Sequence, residues 1–210
     1  MSQVLGEFDG IAPALTESGY IVLHGGLPAP VGECLLELRD QNLRQFYPSG
    51  IGRGQEHNRN PGLRRDRIAW IDEADPLAAA WVDWTQQLRS YLNQHLFLGL
   101  FSFESHLAIY EPGDFYKTHV DAFRGHSNRR LSLVIYLNQN WESGQGGELV
   151  LYHPQTGVEV QRVLPEFGTL VLFLSEEFPH EVLPATRQRL SVAGWFRVNA
   201  SNGAVLDPAA

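Results

Sequence analysis

The sequence predicts a mainly β protein whose supporting helices come first and pack against one face of a sheet. Two patterns carry this. Before residue 100 apolar side chains recur in threes and fours; from residue 101 short apolar runs follow one another, separated by Gly, Pro, Asn and Asp clusters. Bulk composition is the third observation. With 43% hydrophobic and 19% charged residues over 210 positions, the chain can bury one sizeable core, so a single domain spanning 1–210 is expected.

Taken in order, residues 3–18 predict a short amphipathic helix, and Tyr20–His24 a strand stopped by Gly25-Gly26. Leu35–Phe46 has helical periodicity, with Leu35, Leu36, Leu38, Leu43 and Phe46 as the buried face. Residues 47–63 are polar and punctuated by Pro48, Gly50, Gly52, Gly54, Pro61 and Gly62, which predicts a long mobile binding loop. Ile68–Ile71 reads as a strand. Residues 76–96 read as a helix with Leu77, Trp81, Trp84, Leu88, Tyr91 and Leu92 at helical spacing. Runs at 103–110, 115–120, 131–138, 148–153, 158–164, 169–174, 181–183 and 189–198 then predict a β-sandwich or barrel. Residues 1–100 are thus helical support plus the loop, and 101–200 the β core.

The net charge of −8 argues against broad affinity for nucleic acid or membrane surfaces. Cys34 is the one cysteine, so neither an internal disulfide nor a cysteine-based zinc site is available, and it reads as an inert helical thiol. The N-terminus lacks the basic start and apolar run of a secretory signal, and no stretch reaches the about 18 apolar residues that cross a bilayer. The cytoplasm is the default compartment.

The chemistry centres on Tyr116-Lys117-Thr118-His119-Val120-Asp121. In extended chain, side chains at i and i+2 share a face, so His119 and Asp121 can meet one metal ion. His180 follows the apolar run Thr169–Leu174, and a sandwich can bring that strand end beside the first. Two His and one carboxylate suit a non-haem Fe(II) oxygenase site, although zinc accepts the same ligands. Alternation puts Arg189, Ser191, Ala193 and Trp195 on one face. An inward guanidinium is costly unless it meets an anion, and a dicarboxylate cosubstrate supplies one. The Tyr136 hydroxyl can share that carboxylate, and Tyr110 can line the pocket.

These residues resemble the 2-oxoglutarate/Fe(II) oxygenases, and more closely the PHD-type prolyl 4-hydroxylases. The carrying segments are Tyr110-Glu111-Pro112-Gly113, Tyr116 with His119-Val120-Asp121, and Ile135–Trp141. Gly146-Gly147-Glu148-Leu149, Pro179–Ala185, Arg189 and Trp195 continue them, and Leu63–Trp70 resembles the segment after that family's substrate loop. The resemblance implies a double-stranded β-helix (jelly-roll) core packed against N-terminal helices. It implies Fe(II) on His119, Asp121 and His180, with 2-oxoglutarate and O2 as cosubstrates and ascorbate as a further reductant. Arg189 and Tyr136 would take the distal carboxylate, with Tyr110, Leu149, Val182 and Trp195 around the cosubstrate. Ala193 stands where the animal enzymes offer a hydroxyl, and Ser191 on the same face is its candidate substitute.

Arg53, Arg59, Arg64, Arg65 and Arg67 outnumber Glu56 and Asp66 in the loop segment 51–70, a local basic patch on an acidic chain. Read as a clamp, it implies a protein substrate bearing a target proline, with Arg64, Tyr116, Arg53 and Arg59 as contacts. Bacterial members of the resembled group suggest elongation factor Tu as that substrate. The alternatives are an oxygenase of another protein side chain or a small molecule, and a non-catalytic jelly-roll binding module. Repair dioxygenases are disfavoured because they carry a second Arg where Trp195 stands, and halogenases because Asp121 fills the halide position. His24, His57, His95, His106, His126 and His153 are given no role.

Overall fold

The computed structural model describes residues 8–50, 60–122 and 127–199. Helix α1 (Ile11–Glu17) precedes strand β1 (Tyr20–Leu23) and helix α2 (Ala29–Gln41). Residues 3–7 of the expected 3–18 helix lie outside the described residues. Helix α2 begins at Ala29, well before Leu35, because Pro28 precedes it and Pro30 sits in its first turn. There the missing N–H is no loss and the fixed φ helps. Periodicity alone cannot see such a start, since that turn offers little apolar stripe. The helix stops at Gln41, and Asn42 breaks its phase before a 3₁₀ turn at Leu43–Gln45. Leu43 therefore faces solvent at 52% exposure instead of joining the core, whereas Leu35 and Leu38 are fully buried and Phe46 nearly so.

Strands β2 (Tyr47–Pro48) and β3 (Arg67–Trp70) pair across the segment expected as a loop, and residues 51–59 lie outside the described residues. Asp75 caps a 3₁₀ turn at Pro76–Ala78 by accepting from the Leu77 N–H at 2.9 Å, and α3 (Ala79–Leu96) follows. The β core then runs through β4 (Leu100–Tyr110), β5 (Tyr116–His119), β6 (Arg129–Tyr136), β7 (Leu149–Tyr152), β8 (Glu159–Val163), β9 (Leu170–Leu174), β10 (His180–Val182) and β11 (Arg189–Val198). They form an antiparallel seven-stranded sheet, ordered β1-β9-β6-β11-β4-β3-β2, and a four-stranded sheet, ordered β5-β10-β7-β8.

The pleat explains why the core strands read as unbroken apolar runs. On β4, Leu107 and Ile109 face the helices, while Ala108 and Tyr110 face the opposing sheet. On β11, Leu190, Val192 and Phe196 meet Leu88 and Leu92 of α3 in the helix-side core. The large sheet is buried on both faces, so period-2 alternation is of shape and chemistry rather than of polarity. Deleting a fully buried side chain such as Leu88 by substitution with Ala costs about 2–5 kcal/mol. At the helix–sheet seam the Trp81 indole donates to Ser105 Oγ at 3.0 Å, so even the largest core residue has its polar atom matched. Cys34 on α2 donates to the Leu77 carbonyl and is half-buried. No helix among the described residues is long and apolar enough to cross a membrane.

Candidate active site

The two sheets diverge at one end around a cavity of about 800 Å³. Chain register brings three side chains together at its wall. His119 ends β5, His180 opens β10, and the two are direct cross-strand partners. Asp121 lies two residues beyond His119, on the same side of the extended chain. One ligand atom from each residue falls within 4.8 Å of the others. Nε2 of His119 is 3.6 Å from Asp121 Oδ1, and Nε2 of His180 is 3.7 Å from Oδ2.

Local hydrogen bonds fix which nitrogen each ring offers. The Nδ1 atoms lie 2.8 Å from the Lys117 carbonyl and 3.0 Å from the Phe178 carbonyl. A carbonyl can only accept, so Nδ1 carries the proton and Nε2 keeps its lone pair for the shared point. Ser132 on β6 donates to Asp121 Oδ2 at 2.6 Å and sits 2.9 Å from Ser175 Oγ. Burial alone would raise the Asp121 carboxyl; His180, His119 and the Ser132 hydrogen bond outweigh it and hold the group far below the usual carboxylate range. Burial, then the neighbouring His119, brings His180 down to about 4 against the opposing pull of Asp121. A neutral imidazole beside an ionised carboxylate is the protonation state that metal ligation requires.

Arg189 opens β11 opposite Tyr110 of β4 and is 1% exposed. Its Nε donates to the Gly147 carbonyl at 2.8 Å and its Nη1 to Ser191 Oγ at 3.0 Å. The guanidinium carbon lies 4.9 Å from the Tyr110 ring centre and 5.0 Å from that of Tyr136. No carboxylate pairs with it among the described residues. The Tyr136 hydroxyl beside it is buried without a hydrogen-bond partner of good geometry. Burial pushes that phenol up to about 12, with Arg189 opposing, so it remains a neutral donor. Leu149 and Val182 close the same cavity with apolar surface. Ser191, read as a candidate substitute for a cosubstrate hydroxyl, lines the cavity and accepts from Arg189, which leaves its own O–H as a donor. Gly147 makes the approach feasible: at φ 76 a Cβ there would sit 3.2 Å from Arg189 Cδ.

At the mouth, the Arg64 guanidinium lies 4.3 Å from the centre of the Tyr116 ring and forms a two-point pair with Asp66, at 2.8 and 2.6 Å. Asp66 is fully buried and also accepts from Ser49 Oγ at 2.6 Å. Of the expected basic patch, Arg64 is paired with Asp66, Arg67 lies 3.6 Å from Glu111, and Arg65 packs on Phe115 with its charge uncompensated by that contact. Arg53 and Arg59 lie outside the described residues.

Trp195 lines the cavity but stands six residues along β11 from Arg189, roughly 20 Å at the rise of a strand. It is level with Ser132 rather than with the arginine. Beside it are His106, Trp70 and Arg129, the last 3.6 Å over its ring and 2.7 Å from Glu104. His106, given no role by sequence reading, is thus a cavity residue. Ser132, Ser175 and Gly147 were also missed. The inward phase of β6, which puts Ser132, Val134 and Tyr136 on one face, was the available signal for Ser132.

Comparison with known proteins agrees with this geometry. The profile of the 2OG-Fe(II) oxygenase superfamily matches residues 105–197. The mouse prolyl hydroxylase EGLN3 is 30% identical over 204 residues, 89% of this chain and 81% of that protein. Among solved structures, a Pseudomonas putida prolyl-4-hydroxylase superposes with a TM-score of 0.80 at 38% identity, covering 90% of this chain and 98% of that one. A Trichoplax adhaerens prolyl hydroxylase in complex with a hypoxia inducible factor peptide fragment gives 0.75 at 26%, covering 89% and 87%. With the jelly-roll sheets, the His–Asp–His cluster and a buried arginine in one cavity, the chain belongs to the 2OG-Fe(II) oxygenase superfamily and, within it, to the prolyl hydroxylases.

Proposed function

We propose that the chain hydroxylates C4 of a prolyl residue in a protein substrate, using Fe(II), 2-oxoglutarate and O2. The observation that carries the cosubstrate is Arg189, a fully buried cation with no anion to meet it among the described residues, beside the Tyr136 hydroxyl, which has no hydrogen-bond partner of good geometry there. A dicarboxylate supplies the missing counter-charge and an acceptor for both groups. His119, Asp121 and His180 would hold the metal; their proton-free Nε2 atoms and ionised carboxylate suit it. When bound, the iron and its cosubstrates supply the oxidising chemistry that inserts oxygen into a C–H bond.

The chain's own residues do the positioning. Arg189, aimed by Gly147 and Ser191, and the neutral Tyr136 hydroxyl would take the distal carboxylate. Tyr110, Leu149 and Val182 would shield the cosubstrate from water, with Trp195 lining the same cavity at the level of the metal. Arg64, held by Asp66, and Tyr116 would frame the entrance for the substrate chain. Ascorbate would serve as an external reductant that keeps the metal ferrous. A cytoplasmic location suits a chain with one cysteine and no disulfide.

The prolyl reading draws support from the relatives, whose names state it. The finer reading, a proline of elongation factor Tu, rests on the sequence resemblance. The test is to incubate recombinant elongation factor Tu with wild-type chain and with His119→Ala, then map peptides by mass spectrometry. A one-oxygen gain on a prolyl peptide, absent with the variant, supports the reading. Unmodified protein beside full succinate release on another substrate sinks the elongation factor Tu proposal alone, and the same succinate release from His119→Ala sinks the metal assignment.

A further inference from the structure

We propose that Tyr116 is a positioning residue for the proposed metal ligand His119, held in that task by Arg64 and Asp66. The inference deepens the functional reading above and rests on His119 being a metal ligand.

An irregularity in β5 carries it. Tyr116 and His119 are three residues apart, and in a regular strand such side chains face opposite sides. Here their rings stack, with centres 3.5 Å apart and planes 14° from parallel. The cause lies in the pairing. On β10, His180 partners His119 and Val182 partners Tyr116, so three steps along β5 match two along β10. The extra residue makes a β-bulge, which re-aims side chains beside a site. It turns the phenol and the imidazole to the same side.

His119 needs this contact more than His180 does. The His180 side chain is 6% exposed and has the Phe173 ring edge-on at 4.7 Å. That of His119 is 18% exposed and sits on the edge strand of the small sheet. Its Nδ1 bond to the Lys117 carbonyl selects the nitrogen offered to the metal. One hydrogen bond still lets the ring rock about that atom. A second ring flat against its face stops the rocking, so Nε2 stays aimed at the point shared with Asp121 and His180.

Both restraints lead back to residues 63–65. The Lys117 N–H donates to the Leu63 carbonyl at 2.8 Å, and the Arg65 N–H to the Phe115 carbonyl at 3.1 Å. Between these bonds, Arg64 and Tyr116 are bridge partners. The Arg64 guanidinium lies 4.3 Å from the Tyr116 ring centre. All three of its nitrogens have protein acceptors, Nε and Nη2 on Asp66 and Nη1 on the Gly50 carbonyl at 3.4 Å. A guanidinium so committed is a fixed wall for the phenol, and fully buried Asp66 anchors it. The contacts run Asp66, Arg64, Tyr116, His119, from the start of β3 to the ligand.

The test compares full-length wild type with Tyr116→Phe, Tyr116→Leu and His119→Ala. Isothermal titration measures Mn(II) binding. Tyr116→Leu should weaken it about tenfold, the low end of the loss when a ligand's outer partner is removed. Tyr116→Phe keeps the ring face and should bind close to wild type. Proton NMR of the metal-free protein reads the stack itself, because an imidazole C–H over an aromatic face moves upfield. An upfield signal that His119→Ala removes should appear in wild type and Tyr116→Phe, and return to its ordinary position in Tyr116→Leu.

Mn(II) bound by wild type, lost in His119→Ala and unchanged in Tyr116→Leu overturns the positioning role alone. Equal weakening in Tyr116→Phe and Tyr116→Leu overturns it too, because the hydroxyl and not the ring face is then what matters. Absence of the upfield signal in wild type overturns it even where Tyr116→Leu does not fold. Wild type that fails to bind Mn(II), or His119→Ala that binds it as tightly, sinks the metal assignment and the positioning role with it.

Discussion

Replacing Arg189 by Met separates a ligand-binding arginine from a structural one. Two of the five guanidinium N–H donors are committed, Nε to Gly147 and Nη1 to Ser191, which leaves three for a ligand. A charge-assisted pair with a carboxylate contributes about 1.5–3 kcal/mol per hydrogen bond lost. The variant should therefore bind 2-oxoglutarate at least about tenfold, and up to about 150-fold, more weakly. The assay is thermal unfolding of the Mn(II)-loaded protein with and without 2-oxoglutarate. At a ligand concentration of 100 Kd, wild type gains about 2.7 kcal/mol. For a domain of this size that is a rise of roughly 5–10 °C. Under the same conditions Arg189→Met should gain roughly half the wild-type shift if binding weakens about tenfold, and only about 1 °C if it weakens about 150-fold. Its ligand-free Tm should stay level or rise, because Met removes a buried cation that no carboxylate among the described residues balances. A ligand shift equal to that of wild type, or a ligand-free collapse of many degrees, refutes the reasoning. Either result would make Arg189 a structural residue.

Three further outcomes are expected. Ser132→Ala removes the donor that aims Asp121 Oδ2 and should weaken Mn(II) binding about 10–100-fold in a fluorescence-quenching titration, with Ser132→Thr restoring it. Asp66→Asn strips the charge partner from Arg64, whose side chain is only 12% exposed, and should cost about 3–5 kcal/mol in urea unfolding of the metal-free protein. The Asp66 carboxyl is buried, which alone would raise it, yet its bonds to Arg64 and Ser49 hold it below its ordinary value of 3.8. Its contribution is thus fully present above about pH 4 and lost as pH falls further, so the gap between wild type and Asp66→Asn should narrow at acid pH. A gap independent of pH would show that the carboxylate is not the source. Gly147→Ala places a Cβ 3.2 Å from Arg189 Cδ at a left-handed φ of 76, and should raise the 2-oxoglutarate KM several-fold while kcat changes little.

The elements legible in the sequence were those whose side-chain pattern is itself the cause of the structure. The run Arg189–Val198 is a strand with the same bounds as expected, because its alternate residues face the helix-side core and the cavity. The His119–Asp121 pair was legible for the same reason: a two-residue period fixes a shared face. What period cannot show is the cross-strand partner. Ser132 reaches Asp121 only because β6, β9 and β5 converge, so its role lay in topology. The helix start at Ala29 and the exposure of Leu43 depended on proline chemistry and on a phase break at Asn42, which an apolar count passes over. His106 was set aside because one histidine in an apolar strand is most often a satisfied core residue; its missing hydrogen bond is visible only in three dimensions.

The charged groups in the one cavity show why Arg189, among several arginines, is the one assigned to a ligand. Each of the others has a carboxylate beside it, Arg129 and Arg197 sharing Glu104. Arg64 has Asp66 in a two-point pair, and Arg129 has Glu104 with an indole face beneath it. Asp121 is ionised in the interior because two imidazoles and a serine hydroxyl surround it. Arg189 has only neutral company: a backbone carbonyl, a serine and two tyrosine rings. These contacts orient the guanidinium without cancelling its charge. A fold that gives Arg64 and Arg129 carboxylate partners and gives Arg189 none among the described residues is what the proposed reading requires, since that charge would then be met by an incoming anion. The orphaned Tyr136 hydroxyl at the same spot is the second half of that socket.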